Sequence, residues 1–399
     1  MKCLYLSLLF IFALPAPSFE QIKNYSFGKG IHFTAKDSSF SSTASFRFQT
    51  LFIGDWASET YNWKNVYKFS SNVLIRRARL KFNGFAYSPK LTYKLELGLS
   101  NRDVKHSNDY YFGNAPNFIL DAYLKWNFYK GFSIKAGQFK LPGNRERLIS
   151  SSAMQFVDRS LLNSNYTLDR DVGISLHYNK TFGKQFEMRL KAAVSKGEGR
   201  NVIQNNVNGY ETTFKAEFLP FGAFKNKGEY VGSAIDREEQ PKLAVAFTFD
   251  RNDGAIRTNG NKGEFIQNTK NGKVLLSGFA DFIFKYKGIS IMGEYAIRRT
   301  SDNNPFTNLT GIYNDTYFTG SGINFQGGYM FKNKLEIGGR FTTISPQNSS
   351  VGTHLNQYSV VLSKFIKGNS LKVQTDVGYL QQDYSRNHLT WRVQVEFSL

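Results

Sequence analysis

Residues 91–100 read LTYKLELGLS, with Leu91, Tyr93, Leu95, Leu97 and Leu99 at every second position and Thr92, Lys94, Glu96, Gly98 and Ser100 between them. In an extended chain, successive side chains leave on opposite faces, so this segment has one apolar face and one charged face. The pattern recurs. Ala78, Leu80 and Phe82 alternate with Arg77, Arg79, Lys81 and Asn83. Leu120, Ala122, Leu124, Trp126 and Phe128 alternate with Asp121, Tyr123, Lys125 and Asn127. Leu389, Trp391, Val393, Val395 and Phe397 alternate with Arg392, Gln394 and Glu396. About 16 segments of this kind start near residues 45, 72, 91, 118, 132, 170, 185, 209, 242, 273, 289, 321, 335, 357, 371 and 389. Most approach the ~9–11 residues that a tilted strand needs to cross a bilayer.

The connections alternate in length as well. Short turns rich in Gly, Asn and Pro fall at 87–90, 129–131, 179–184, 286–288, 331–334 and 366–369. Longer polar loops fall at 55–71, 101–117, 138–168, 196–208, 250–272, 299–320, 344–356 and 381–388. One junction, 219–240, is long where the rhythm requires a turn. This is the signature of an all-β, up-and-down antiparallel transmembrane β-barrel of about 16 strands, with short periplasmic turns and long external loops. A soluble sandwich would have strands of about 5–6 residues, shorter than these. A propeller would show a repeat of about 40 residues, and none is found. The apolar face is therefore expected to meet lipid and the charged face a watery lumen, with every backbone group paired strand to strand.

The N-terminus departs from the pattern. Lys2, the apolar run Leu4 to Leu14 and the small residues Ala16 and Ser18 read as a secretory signal peptide over 1–18. Residues 19–44 then form a short periplasmic segment, and 45–399 the outer-membrane barrel. Cleavage removes Cys3, the single cysteine, so no disulfide holds the mature chain. The expected location is the outer membrane of a Gram-negative bacterium.

Charge changes the picture inside the barrel. The chain carries 51 Lys and Arg against 31 Asp and Glu, a formal net charge of +20. At about 16 strands the lumen is an aqueous channel, so the charges on its inner face become the candidate chemistry. Cations are densest at Arg77-Ala-Arg79-Leu-Lys81, three on one strand face. Pairing with acids across strands would make them plain wall; left unpaired, they would concentrate anions. Loop 138–168, the longest connection, carries Lys140, Arg145, Arg147 and Arg159 together with Leu148, Ile149, Met154, Phe156 and Val157. An exposed loop has no use for those apolar residues, so the loop is expected to fold into the lumen and narrow it. The candidate anion pathway is Arg77, Arg79, Lys81, Lys140, Arg145, Arg147 and Arg159.

Other functions find less support. Ser175 and His177 share a strand face, but no third group is evident to complete a hydrolytic site. No catalytic, metal or cofactor site is expected. Tyr123 and Trp126 invite comparison with a sugar-guiding surface, yet Trp126 falls on the lipid face, where aromatic girdles are expected. A general, non-selective or oligosaccharide-uptake pore is the alternative to an anion pore. The positive charge is scattered along strands and loops, which argues against nucleic-acid binding, and basic loops suit anionic lipopolysaccharide.

The segments FGKGIHFTAKDSSF (27–40), IRRARLKFNG (75–84), DAYLKWNFYKGFSIKAGQFKLP (121–142), LISSSAMQFVDRSL (148–161), RDVGISL (170–176), FLPFGAFKNKGEY (218–230) and PKLAVAF (241–247) resemble the phosphate-selective porin O and P family. The resemblance covers much of the first two thirds of the mature chain. It implies a 16-stranded outer-membrane barrel, usually a homotrimer, that passes anions such as phosphate by diffusion. In that family an arginine ladder leads to a lysine-lined phosphate site at the constriction. The matched positions here are Arg77 and Arg79 in IRRAR and Lys140 in GQFKLP. Arg159 and Arg170 fall within the same frame without an assigned ligand role. Gly143 stands where the family usually has Phe after GQFKxP, so the constriction is expected to differ in shape.

Overall fold

Sixteen long strands close into a single ring. The structure is a computed structural model and describes residues 26–59, 62–104, 117–203, 209–266, 272–306, 316–383 and 385–399, with the side chains of 58–68 outside that description. The expected signal peptide 1–18, and the 19–44 segment as far as residue 25, lie outside the described residues. A short strand, β1 (Ile31–Thr34), precedes the ring. The ring consists of β2 (Phe40–Glu59), β3 (Asn62–Ala86), β4 (Ser88–Gly98), β5 (Ile119–Tyr129), β6 (Phe132–Lys140), β7 (Arg170–Phe182), β8 (Phe186–Ser195) and β9 (Glu211–Leu219), followed by β10 (Lys242–Ala255), β11 (Lys273–Tyr286), β12 (Ile289–Thr300), β13 (Gly320–Met330), β14 (Leu335–Pro346), β15 (Leu355–Lys367), β16 (Leu371–Gln382) and β17 (Asn387–Ser398). Each strand pairs antiparallel with its neighbours in sequence. The ring shuts where β17 pairs with β2, from Asn387 opposite Ser58 to Ser398 opposite Arg47. Below that point β1 takes over the same edge, Ile31 facing Ala44.

The alternation read from sequence governs which way each side chain points. On β15, Tyr358, Val360 and Leu362 are exposed, while Ser359, Val361 and Ser363 are buried. Val360 is 59% and Trp126 53% exposed, on the outer face. Glu336, Lys372, Gln374 and Glu396 are wholly buried, on the inner face. The barrel is thus apolar outside and polar inside, as a lipid solvent demands.

Two stretches differ from the sequence reading. The loop expected over 55–71 is strand in its described part: β2 and β3 extend to the pairing of Glu59 with Asn62. Polar strand residues beyond the bilayer still close a hydrogen-bond ladder, and polarity alone does not show that. The long 219–240 junction, for its part, is structured. It turns tightly over Lys225–Tyr230, with Asn226 and Lys227 at positive φ, and packs under the lumen.

Candidate functional site

The inner wall is covered on one side and bare on the other. Between β6 and β7 the chain forms two short helices, α1 (Arg145–Leu148) and α2 (Leu161–Asn165). Leu141, Leu162, Tyr166 and Leu168 from this segment pack on Phe279, Ala296 and Ile344 of the wall. Ile149, Ala153 and Met154 pack on Leu219, Ala244, Ile283 and Met292. Burial of this apolar surface is what draws the segment inward. β11 shows the cause in its sequence, carrying apolar residues on both faces: Leu275, Phe279 and Ile283 point in between Ser277, Asp281 and Lys285, and Leu276, Phe282 and Phe284 point out.

Polar groups fix the segment in place. Arg145 donates from Nε to Asp281 (2.7 Å), from Nη2 to Glu217 (2.9 Å) and from Nη1 to the Glu229 carbonyl (3.1 Å). The Glu146 carboxylate accepts from the Ser160 backbone (2.9 Å) and hydroxyl (2.5 Å), and the Ser160 hydroxyl in turn accepts from the Asn163 N–H (3.2 Å) and caps α2. Arg298 donates to the carbonyls of Asn165 and Thr167, Lys372 to that of Met154, and the Val157 N–H to Asp376. Glu217 of β9, Asp281 of β11, Glu294 of β12, Glu336 of β14 and Asp376 of β16 are all engaged with the loop.

The opposite wall, β2 to β7, is left facing open space. A cavity of about 420 Å³ lies there, lined by Arg77, Arg79, Lys94, Arg102, Lys135, Lys140, Arg147, Arg159, Arg170, Arg200 and Lys262. Eleven cations thus face four carboxylates, Glu96, Asp103, Asp121 and Asp169. A second cavity, of about 1040 Å³, continues toward the end that holds Gly28 and Leu399, and is lined by Lys29, Arg47, Lys81, Lys125 and Lys227. The two share Arg79, Lys94, Glu96, Tyr123 and Ser150.

Within this frame the residues singled out from sequence take different places. Arg77 reaches Gln49 and lies 3.6 Å from Asp158. Arg79 bridges Glu96 (3.0 Å) and Asp103 (3.5 Å). Lys140 donates to the carbonyls of Arg147 (2.7 Å), Leu148 and Ile149. Arg159 donates to the carbonyls of Glu146 (3.3 Å) and Ile149 (2.9 Å), and Arg147 pairs with Asp169. Lys81 lines the larger cavity and has no ion pair or side-chain hydrogen bond among the described residues. Arg145 stands apart from the rest: it is fully buried away from both cavities, on the far side of the loop. A cation with two carboxylates at bonding distance is worth more as an anchor than as a lining group.

The electrostatics of the loop groups follow from this packing. Burial alone would raise the Asp158 carboxyl, but Arg77, Arg76 and Arg392 hold it well below the usual range. Asp169 is likewise lowered against its burial, chiefly by Arg147. Lys262 is brought down to about 8 by burial, with Arg147 and Arg159 adding to the effect and Asp169 opposing it.

Several lining residues escape a period-two reading. A bulge sets Arg77 opposite Gln49 and Ile75 opposite Thr50. Arg76 is thereby left over and its guanidinium swings in to Asp158. A second bulge, between Glu96 and Leu97, sets Asp121 opposite Glu96 and Ile119 opposite Leu97. It turns Leu120, expected to face lipid, into the cavity lining at 2% exposure. Arg200 and Lys262 come from external loops, where periodicity carries no information. The doublet Arg76-Arg77 was the one available sign of a bulge.

Ser175 and His177 do meet, Nε2 to Oγ at 3.0 Å. The Ser175 hydroxyl, however, donates to the Ala192 carbonyl (3.0 Å), so the proton a base would remove is already committed. No group of three or more His, Cys, Asp or Glu placed to hold a metal is found among the described residues.

Comparison with known proteins gives the fold a context. An uncharacterized protein of Aquifex aeolicus (strain VF5) is 22% identical over 210 residues; the match takes in 49% of this chain and about half (50%) of that relative's length. Among solved structures, OprB of Pseudomonas putida superposes with a TM-score of 0.53 at 11% identity, over 90% of this chain and 94% of its own. The anion-selective porin of Comamonas acidovorans gives 0.51 at 8% identity, over 90% of this chain and 100% of its own. These two superpositions establish the shared barrel fold. The family model for phosphate-selective porin O and P matches residues 57–391. A closed ring of 16 strands, polar within and apolar without, thereby has its place: the chain belongs to the phosphate-selective porin O and P family.

Proposed function

We propose that this porin passes small anions, phosphate among them, by passive diffusion along the slit between the loop and the β2–β7 wall. The observation that supports it most is the imbalance in the smaller cavity, where eleven cations meet four carboxylates. Pairing does not cancel that excess. A low-dielectric wall around a net positive charge raises the local concentration of anions and lowers their entry barrier. Arg77, Arg79, Arg147 and Arg159 supply planar donors suited to an oxyanion. Lys140 contributes a compact charge, and Lys81 continues the path through the larger cavity. The family name and the Comamonas acidovorans porin, described as anion-selective, point the same way. The chain works in this reading as a homotrimer in the outer membrane of a Gram-negative bacterium, with its long loops toward lipopolysaccharide.

The test is planar-bilayer reversal potential under a salt gradient. Anion preference is expected. A cation-preferring reversal potential sinks the reading, and chloride current unaffected by added phosphate removes phosphate from it.

A further inference from the structure

The constriction loop rests on something other than the barrel wall. The connection from β9 to β10, residues 220–241, lies on the end of the barrel that holds the short turns, yet it rises under the loop and touches it backbone to backbone. The Gly232 N–H donates to the Ala153 carbonyl at 2.7 Å. A Cβ on Gly232 would stand 2.6 Å from the Gln155 nitrogen and 3.0 Å from its Cβ, so the approach is open to glycine alone. Glu336 of β14 ties both segments to one carboxylate: Oε1 accepts from Gln155 of the loop (2.9 Å), Oε2 from Ser233 of the connection (2.6 Å). Lys285 holds the connection from below, donating to the carbonyls of Gly228 (2.8 Å), Val231 (2.7 Å) and Ser233 (2.8 Å).

We propose that this connection is a specificity-determining support, which sets the position of loop residues 150–159 and through them the width and charge of the slit. The inference rests on the reading of the slit as the conduction path. Ser150, Ser151 and Arg159 line the slit, and Ala153 and Gln155, which the connection grips, lie between them in sequence. Gly232, Ser233, Lys285 and Glu336 line neither cavity, so their effect on a passing ion must travel through the loop. The long 219–240 junction thereby gains a use: a short turn could not reach the loop.

The experiment is single-channel recording on the full chain with Gly232→Val, and with Ser233→Ala and Lys285→Met as gentler variants. Folding of each is checked by resistance to denaturation in detergent. Expected is a higher open-channel conductance and a permeability ratio altered roughly two- to thirtyfold, the range for coupling through a packed network. Ser233→Thr and Lys285→Arg should restore both. Conductance and ratio unchanged in folded variants overturn the proposal. If Gly232→Val does not fold, unchanged behaviour in the other two does the same. A wild type that prefers cations defeats the anion reading, whereas this proposal is judged by the difference between variant and wild type.

Discussion

Arg145 Nε and Asp281 Oδ1 meet at 2.7 Å with both side chains shut away from water. Glu217 completes the anchor at 2.9 Å, and Lys215 reaches Asp281 from the other side at 2.8 Å. Replacing Arg145 with Ala would remove the cation that joins the two buried carboxylates, leaving Asp281 to Lys215 and Glu217 to Arg189 and Tyr230. A buried charge left with no partner costs about 3–5 kcal/mol, so with these partners remaining the loss should fall below that. The midpoint of urea unfolding should fall, and the loop should become open to protease. Equal resistance of variant and wild type to both would show that the anchor carries no weight.

Arg77 and Arg79 act differently, because both border the open slit. At water-like screening a unit charge about 4 Å away is worth about 1 kcal/mol, or roughly fivefold in permeability ratio. Arg77→Ala with Arg79→Ala should therefore lower anion preference markedly while the barrel stays folded, since Glu96 keeps Lys94 at 2.7 Å. Reversal potentials measured before and after decide the matter; no shift would reduce the two arginines to wall.

Selectivity should also depend on pH. Lys262, brought down to about 8 by burial and its arginine neighbours, is charged below that pH and neutral above it. One positive charge leaves the slit as pH rises through 8, so anion preference should weaken between pH 7 and pH 9. Lys262→Met should remove that step. A flat profile in the wild type would contradict the assignment.

The lipid-facing side can be tested with one residue. Val360 points outward and its neighbour Ser359 inward. Val360→Arg would place a charge in hydrocarbon, at a cost of about 2–4 kcal/mol near the midplane. Ser359→Arg would place it in the lumen. Lower unfolding stability in detergent-free bilayers is expected of Val360→Arg relative to Ser359→Arg. Equal stability of the two would reverse the assigned faces.

The sequence makes the ring legible because period-two alternation survives wherever one face meets lipid and the other water. All sixteen expected strand starts have a counterpart, from Phe40–Glu59 to Asn387–Ser398. The alternation fails at bulges, where one added residue inverts the face: Arg76 turns in to Asp158, and Leu120 reaches the slit. It is silent on loops, so Arg200 and Lys262 could not be placed. Nor could it separate Arg145 from Arg147. Both sit on one short helix, and which of them is an anchor depends on Asp281 and Glu217, carboxylates far away in sequence on other strands.

The pairing of β2 with β17 has a consequence for how the protein forms. Arg47 and Glu396 are joined across the seam although 349 residues separate them. Such a contact is the slowest kind to make, because the chain between must already be ordered before its ends can meet. Until the seam shuts, β2 and β17 are unprotected edges that invite pairing with other chains. Assembly of this barrel is thus a race between self-closure and misassociation, settled at the last strand to arrive.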